Sequence, residues 1–261
     1  MARTDISDLL EIMAKLRGEN GCPWDKAQTT ESLKPFLLEE AYEVIDAIER
    51  NDQKDLVEEL GDLLLQVVFH SRLAEERGDF DFYDVVSGIC QKMIHRHPHI
   101  FGEVKAETTG EVLKNWEEIK REEKDIKTQS QSMAKVPKIM PALMRAYKVQ
   151  EKAARVGFDW DDVEDAMNKV TEELCELREV YKGSDRDKIR EEMGDLLFAA
   201  VNVARLLEID AELALKDATS KFIRRFSFVE QAAAENDKHL QEMTLEEMDE
   251  LWEQGKSNEK K

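Results

Sequence analysis

The chain has 261 residues, 37% of them charged and only 7% aromatic, with 11 Gly and 5 Pro, a balance that favours long helices over a turn-rich β fold. Its length allows one or two domains with a sizeable core. A formal net charge of −20 offers no large basic face to phosphate backbones, which disfavours a general nucleic-acid binder.

Apolar residues at helical spacing predict an opening helix over 5–17, followed by the loop GENGCPWDKAQT. A helix of about five turns then ends near Asn51. The next spans 52–77 and stops at Gly78; a further one runs from Asp81 to the His97-Pro98 step, where proline bars continuation. EVLKNWEEIKREEKDIK predicts a charged helix with a weak apolar stripe. TQSQSMAKVPK, residues 128–138, is polar and proline-bearing and reads as a linker.

The second half repeats the order, with PALMRAYKVQEKAARVGFDW, a helix over 162–181, a turn at Gly183-Ser184, and helices over 185–207 and 210–235. Thr244 with Glu247 predicts a capping box opening the last helix, and the tail GKSNEKK reads as frayed. The expected organisation is all-α: residues 1–127, the linker 128–138, and residues 139–261, two homologous helical domains.

The homology is internal. EELGDLLLQVVF begins at Glu58 and EEMGDLLFAAVN at Glu191, an offset of 191 − 58 = 133 residues that suits a duplicated domain. LLEEAYEV aligns with VTEELCEL at the same offset, so each half carries E-E-x-x-E and then E-x-x-D. CPWD at Cys22–Asp25 resembles GFDW at Gly157–Trp160, and Lys92 and Arg96 fall on Lys221 and Arg225 at an offset of 129.

Residues three apart share a helix face, so Glu173 can point with Glu176, and Glu192 with Asp195; an antiparallel neighbour would bring the pairs together. Two carboxylates ~5 Å apart repel by roughly 3 kcal/mol at an effective dielectric of ~20. Such a group must take up protons, pair with Lys or Arg, or bind a cation; oxygen donors select a hard ion, Mg²⁺ with Mn²⁺ as substitute. Solvated faces of amphipathic helices are the plain alternative, and Glu43 and Glu176 alone are not separable from surface acids.

Asp62 and Asp195 are harder to place in solvent. The main apolar stripe of the first helix is Leu60, Leu63, Leu64, Val67 and Ser71, while Asp62 shares the other side with Phe69 and Leu73, so both sides are expected to be covered. Asp195 shares its face with Ala199, Asn202 and Leu206. Gly61 and Gly194 cost their helices ~1 kcal/mol relative to alanine, which fits close approach of a helix or ligand beside the acid.

Other chemistries lack their residues. Neither a G-x-x-x-x-G-K-[ST] loop nor G-x-G-x-x-G occurs, and no Glu-x-x-His pair supports a di-iron bundle. His95, His97 and His99 of HRHPH flank a helix-ending proline in one half only, which favours a structural role. Cys22, Cys90 and Cys175 are odd in number and unclustered, as in a reduced cytoplasmic setting. No apolar run nears the ~20 residues of a membrane span, and MARTDISDLL lacks the form of a signal peptide.

These motifs resemble those of the all-α nucleoside triphosphate pyrophosphohydrolases. The doubled order GCPWDKAQT, EELGDLL, RHPHIF, VGFDW and EEMGDLLFA, over 6–252, is similar to that of the tandem-domain MazG members of that family. The resemblance implies hydrolysis of an NTP or dNTP, ATP included, to the monophosphate and pyrophosphate, with broad base tolerance. It implies Mg²⁺ held by Glu173, Glu176, Glu192 and Asp195, with Glu172 in the catalytic group, and a matching first-copy site at Glu40, Glu43, Glu59 and Asp62. Nucleotide binding would fall to Lys169, Lys188, Arg190, Asp195, Lys221, Arg224, Arg225 and Trp252. Phe158 and Trp160 offer stacking faces or core.

The family's activity is associated with the second half, and the residues agree. Lys169 stands where the first copy has Phe36, Asn202 where it has Phe69, and Arg224 where it has His95. The first copy is therefore expected to be structural or weakly active. A homodimer is expected, because two-helix hairpins rarely bury both faces alone. The alternative of another class is a non-catalytic helical metal-binding scaffold that fixes a dimer.

Overall fold

The structure, a computed structural model, describes residues 4–258. Helices make up all its regular structure, and no strand occurs among the described residues. The chain divides into two units, Met1–Lys120 and Arg121–Lys261.

In the first unit α1 (Ile6–Arg17) opens on a capping box between Asp5 and Asp8. The following loop holds a short helix, α2 (Pro23–Ala27), begun by the proline that the CPWD motif supplies at its first position. Next come α3 (Lys34–Glu49) and α4 (Gln53–Arg77), an antiparallel pair joined through Asn51, which adopts φ 54°. The Asp52 carboxylate accepts the Lys54 and Asp55 N–H groups that begin α4; Gly78 ends it in the left-handed region at φ 75°. Then follow α5 (Phe82–Arg96), α6 (Pro98–Phe101) and α7 (Thr109–Glu123), which runs across the division between units.

The core joins Met13, Leu33, Val68, Phe69 and Leu73, with Ile6, Leu9, Leu10, Phe36, Leu65 and Phe82 packed against it. Both sides of α4 were expected to be covered, and only one is. Phe69 and Leu73, on the side of Asp62, are 3% and 6% exposed, whereas Leu60, Leu64 and Val67 of the supposed main stripe are open. A helix apolar nearly all round has two candidate inner faces, and α1 and α5 cover the one that sequence periodicity ranks second.

Arg17 ties this unit together. Its side chain is 7% exposed, and Nη2 reaches Glu76 Oε2 of α4 at 2.7 Å while Nε donates to Oε1 at 2.9 Å. Nη1 donates to the Asp25 carbonyl oxygen, and the guanidinium lies 5.4 Å from the Phe69 ring centroid.

In the second unit, the segment read as a linker carries a helix, α8 (Gln129–Ala134), opened by a capping box between Thr128 and Gln131. Lys152 of α9 (Ala142–Ala154) donates to Ser132 at 2.8 Å. The second hairpin is α10 (Val163–Val180) and α11 (Arg186–Leu206), followed by α12 (Ala211–Glu235), a 3-10 turn at Leu240–Glu242, and α13 (Leu245–Asn258). Thr244 and Glu247 form the expected capping box. Of the tail read as frayed, α13 continues through Asn258 and residues 259–261 lie outside the described ones.

The hairpins keep one register. Asp52 and Asp185 both cap the second helix of their pair and are 185 − 52 = 133 residues apart, the offset of the acids and of Gly61 and Gly194.

Candidate functional site

In the second unit, Glu173 of α10 comes to Glu192 and Asp195 of α11, with one carboxylate oxygen from each within 4.8 Å of the others. Helical spacing places Glu192 and Asp195 on one face, and the antiparallel return of the chain presents that face to Glu173. Glu173 is only 6% exposed, whereas Asp195, expected away from solvent, is exposed. Lys169, one turn earlier, sits 2.7 Å from both Glu173 and Glu172, and these two bonds raise the pKa of its ammonium group. Burial, then the charges of Glu173 and Glu192, push the Glu176 carboxyl upward, so it stands in the same field beside the oxygen triad. Glu172 points outward and meets Lys169.

The first unit repeats the arrangement with a different trio: Glu40, Glu43 and Glu59 bring oxygens within 4.8 Å. Burial, then Asp62 and Glu43, raise the Glu40 carboxyl; burial, then Glu43 and Asp62, raise that of Glu59. Asp62 thus belongs to the field of this cluster. In place of Lys169 stands Phe36, against which Trp24 packs edge-on at 6.0 Å.

The remaining nucleotide candidates lie on α11, α12 and α13. Lys221, Arg224 and Arg225 lie on α12; the Arg225 guanidinium is 5.8 Å from the Trp252 ring centroid, and Phe222 packs on Trp252 at 5.1 Å. Lys188 and Arg190 are exposed in the first turns of α11. His97 is fixed locally, with Nδ1 2.6 Å from the Met93 carbonyl oxygen.

Two expectations need amendment. A Cβ built on Gly61 or Gly194 meets nothing within 4 Å, so the close approach expected at these glycines is absent inside the described subunit. Gly194→Ala should therefore raise thermal stability by up to ~1 kcal/mol through helix propensity. A lower melting temperature would instead place a second subunit against it. The other amendment is an omission: sequence reading passed over Asp159 and Arg205. Arg205 Nη2 donates to Asp159 Oδ1, which also accepts the Trp160 N–H at 2.9 Å, and Arg205 Nε donates to Asn202 Oδ1 at 3.0 Å. The substitution of asparagine for Phe69 was the one signal pointing there.

Fold and sites together define a tandem all-α protein whose two hairpins each gather carboxylates from facing helices. The chain belongs to the MazG family: the description "MazG nucleotide pyrophosphohydrolase domain" matches residues 28–101 and 161–229. It is 49% identical to the Nucleoside triphosphate pyrophosphohydrolase of Escherichia coli, over 97% of this chain and 98% of that one. It is 45% identical to the Nucleoside triphosphate pyrophosphohydrolase/pyrophosphatase MazG of Thermotoga maritima, over 96% and 95% respectively. Identity is 47% to the uncharacterized protein YabN of Bacillus subtilis, over 98% of this chain and 53% of that longer protein. No described helix is long and apolar enough to cross a membrane.

Proposed function

We propose that this protein hydrolyses nucleoside triphosphates, ribo and deoxy, to the monophosphate and pyrophosphate with broad base tolerance, using the second-copy hairpin. The observation that carries this reading is Glu173, buried and lysine-bonded, with its carboxylate among those of Glu192 and Asp195. A donor set made only of carboxylate oxygens suits a hard divalent ion, Mg²⁺ or Mn²⁺, held by Glu173, Glu192 and Asp195 with Glu176 alongside. When bound, such an ion supplies charge neutralisation to the triphosphate and acidifies water.

The chain's own groups do the rest. Lys169 fixes the Glu173 carboxylate, and a carboxylate of the set receives the proton of the water that attacks the α-phosphorus. Lys188, Arg190, Lys221, Arg224 and Arg225 offset phosphate charge, and Trp252 gives the base a stacking face. Glu40, Glu43, Glu59 and Asp62 suit the same ion, but the first copy lacks the lysine and serves a structural or weakly active role. The open apolar residues Leu60, Leu64, Val67, Leu197 and Phe198 support a homodimer, and three free cysteines fit the cytoplasm.

Incubation with each NTP and dNTP, with and without Mg²⁺, should yield monophosphate and pyrophosphate in the metal-containing samples only. Orthophosphate as the product would overturn the reaction assigned. Melting that responds to metal but not to nucleotide would favour the non-catalytic scaffold.

A further inference from the structure

The two hairpins share one register, so each position of the second has a counterpart in the first. In the first unit, Leu33, Phe36 and Phe69 meet in the apolar core, and Arg17 lies over the Phe69 ring. Adding 133 to each number gives Ala166, Lys169 and Asn202. A leucine has become an alanine, and two phenylalanines have become polar residues that are partly open to solvent. Core-forming apolar volume has been removed from one copy and hydrogen-bonding groups put in its place. Stability alone does not account for that exchange, because the first copy shows the apolar version to be compatible with the hairpin.

The orientation of Asn202 is fixed by its neighbour. Arginine has only donors, so the Arg205 Nε must meet the carboxamide oxygen, and the bond at 3.0 Å assigns it as Oδ1. That leaves the Nδ2 hydrogens available. Arg205 is held in turn by Asp159, in the loop that Gly157 starts at φ 82° and that leads into α10. Beside Asp159, Phe158 is 82% exposed and Trp160 is half open. Asn202 follows Asp195 by seven residues, two turns along the same face of α11, about 10 Å farther from the carboxylates.

We infer that Asn202 reads the nucleoside end of the substrate, donating its amide hydrogens to an oxygen or nitrogen acceptor on the base or the sugar, while Arg205 and Asp159 are positioning residues that hold the amide. This assignment rests on the proposed function and extends it to the face of α11 beyond the carboxylates. Lys169, on the facing helix α10, marks the phosphate end of the site, and Asn202 on α11 the nucleoside end.

The test compares the full-length protein with Asn202→Ala, Asn202→Asp and Asn202→Phe. Pyrophosphate release would be measured across ribo- and deoxynucleotides of all bases, with calorimetric binding of nucleoside monophosphates and inorganic tripolyphosphate. Asn202→Ala should lower kcat/KM by about threefold to tenfold, the scale of one neutral hydrogen bond, and weaken monophosphate binding while leaving tripolyphosphate binding unchanged. Asn202→Asp, which replaces the donors with an acceptor, should be worse, and Asn202→Phe should abolish monophosphate binding without lowering the melting temperature. A ribose contact would shrink the difference between ribo and deoxy substrates; a base contact would alter the ranking of bases. Arg205→Lys should reproduce part of the Asn202→Ala effect on KM, which a purely structural arginine would not.

Equal loss of tripolyphosphate binding would overturn the inference, as would Asn202→Ala within twofold of wild type for every nucleotide. Those outcomes leave the proposed function standing, whereas a wild-type protein that neither binds nor cleaves any nucleotide would remove both.

Discussion

Glu173→Gln is expected to lower pyrophosphate release by on the order of a thousandfold, the several kcal/mol that metal-borne charge stabilisation supplies to such a reaction. The amide keeps the shape of the side chain and one oxygen but removes the negative charge. It also leaves Lys169 without one of its two carboxylates, so the loss combines a weaker cation site with a freed ammonium group. Folding should survive, because an uncharged side chain at a position only 6% exposed relieves crowding among the acids. The measurement pairs pyrophosphate release with the far-ultraviolet spectrum and melting curve. A large loss in Glu40→Gln together with near-normal turnover in Glu173→Gln would move the active site to the first copy.

Arg17→Met should destabilise the first unit by about 3 kcal/mol, because it strips a nearly buried fork from the Asp25 carbonyl and Glu76 Oε2 and leaves Glu76 with Arg72 alone. Denaturant unfolding should show an earlier transition, and its absence would mean that the carbonyl and carboxylate find other donors. The pH dependence carries a separate signature. Arg17 first, then Arg72, hold the Glu76 carboxyl below its ordinary value of 4.5. Its stabilisation is therefore fully present above that value and is lost as pH falls through the lower folded one. Wild type should weaken on acidification in that window, and Arg17→Met should weaken less steeply.

Chain punctuation was the most legible part of the fold. Asp52 before α4, Gly78 after it and Thr244 with Glu247 before α13 each act through local backbone chemistry, so their effect is written in a few adjacent letters. Thr128 and Gln131 carried the same kind of signal, T-x-x-Q, but the polar run around them was read as a linker. Both faces of α4 were expected to be covered and one is open, because periodicity reports how apolar a face is, and burial depends on which helices arrive to cover it. At the candidate site, the carboxylates stood out through the duplication, which singles them out from many solvated acids. The pairing of Arg205 with Asp159 spans 46 residues and leaves no local pattern, so only the fold could bring it to view.

The spacing within the hairpins has one more implication. Glu59 follows Glu43 by sixteen positions and Glu192 follows Glu176 by the same number, since 59 − 43 = 192 − 176 = 16, although the offsets between copies differ elsewhere along the chain. A residue inserted between them and absorbed into the second helix would turn everything after it by about 100°. Glu192 and Asp195 would then turn away from Glu173 together, without any carboxylate having been changed. In these hairpins the length of chain between acids is itself a chemical requirement, as binding as the identity of the ligands, while the outer loops are free to drift.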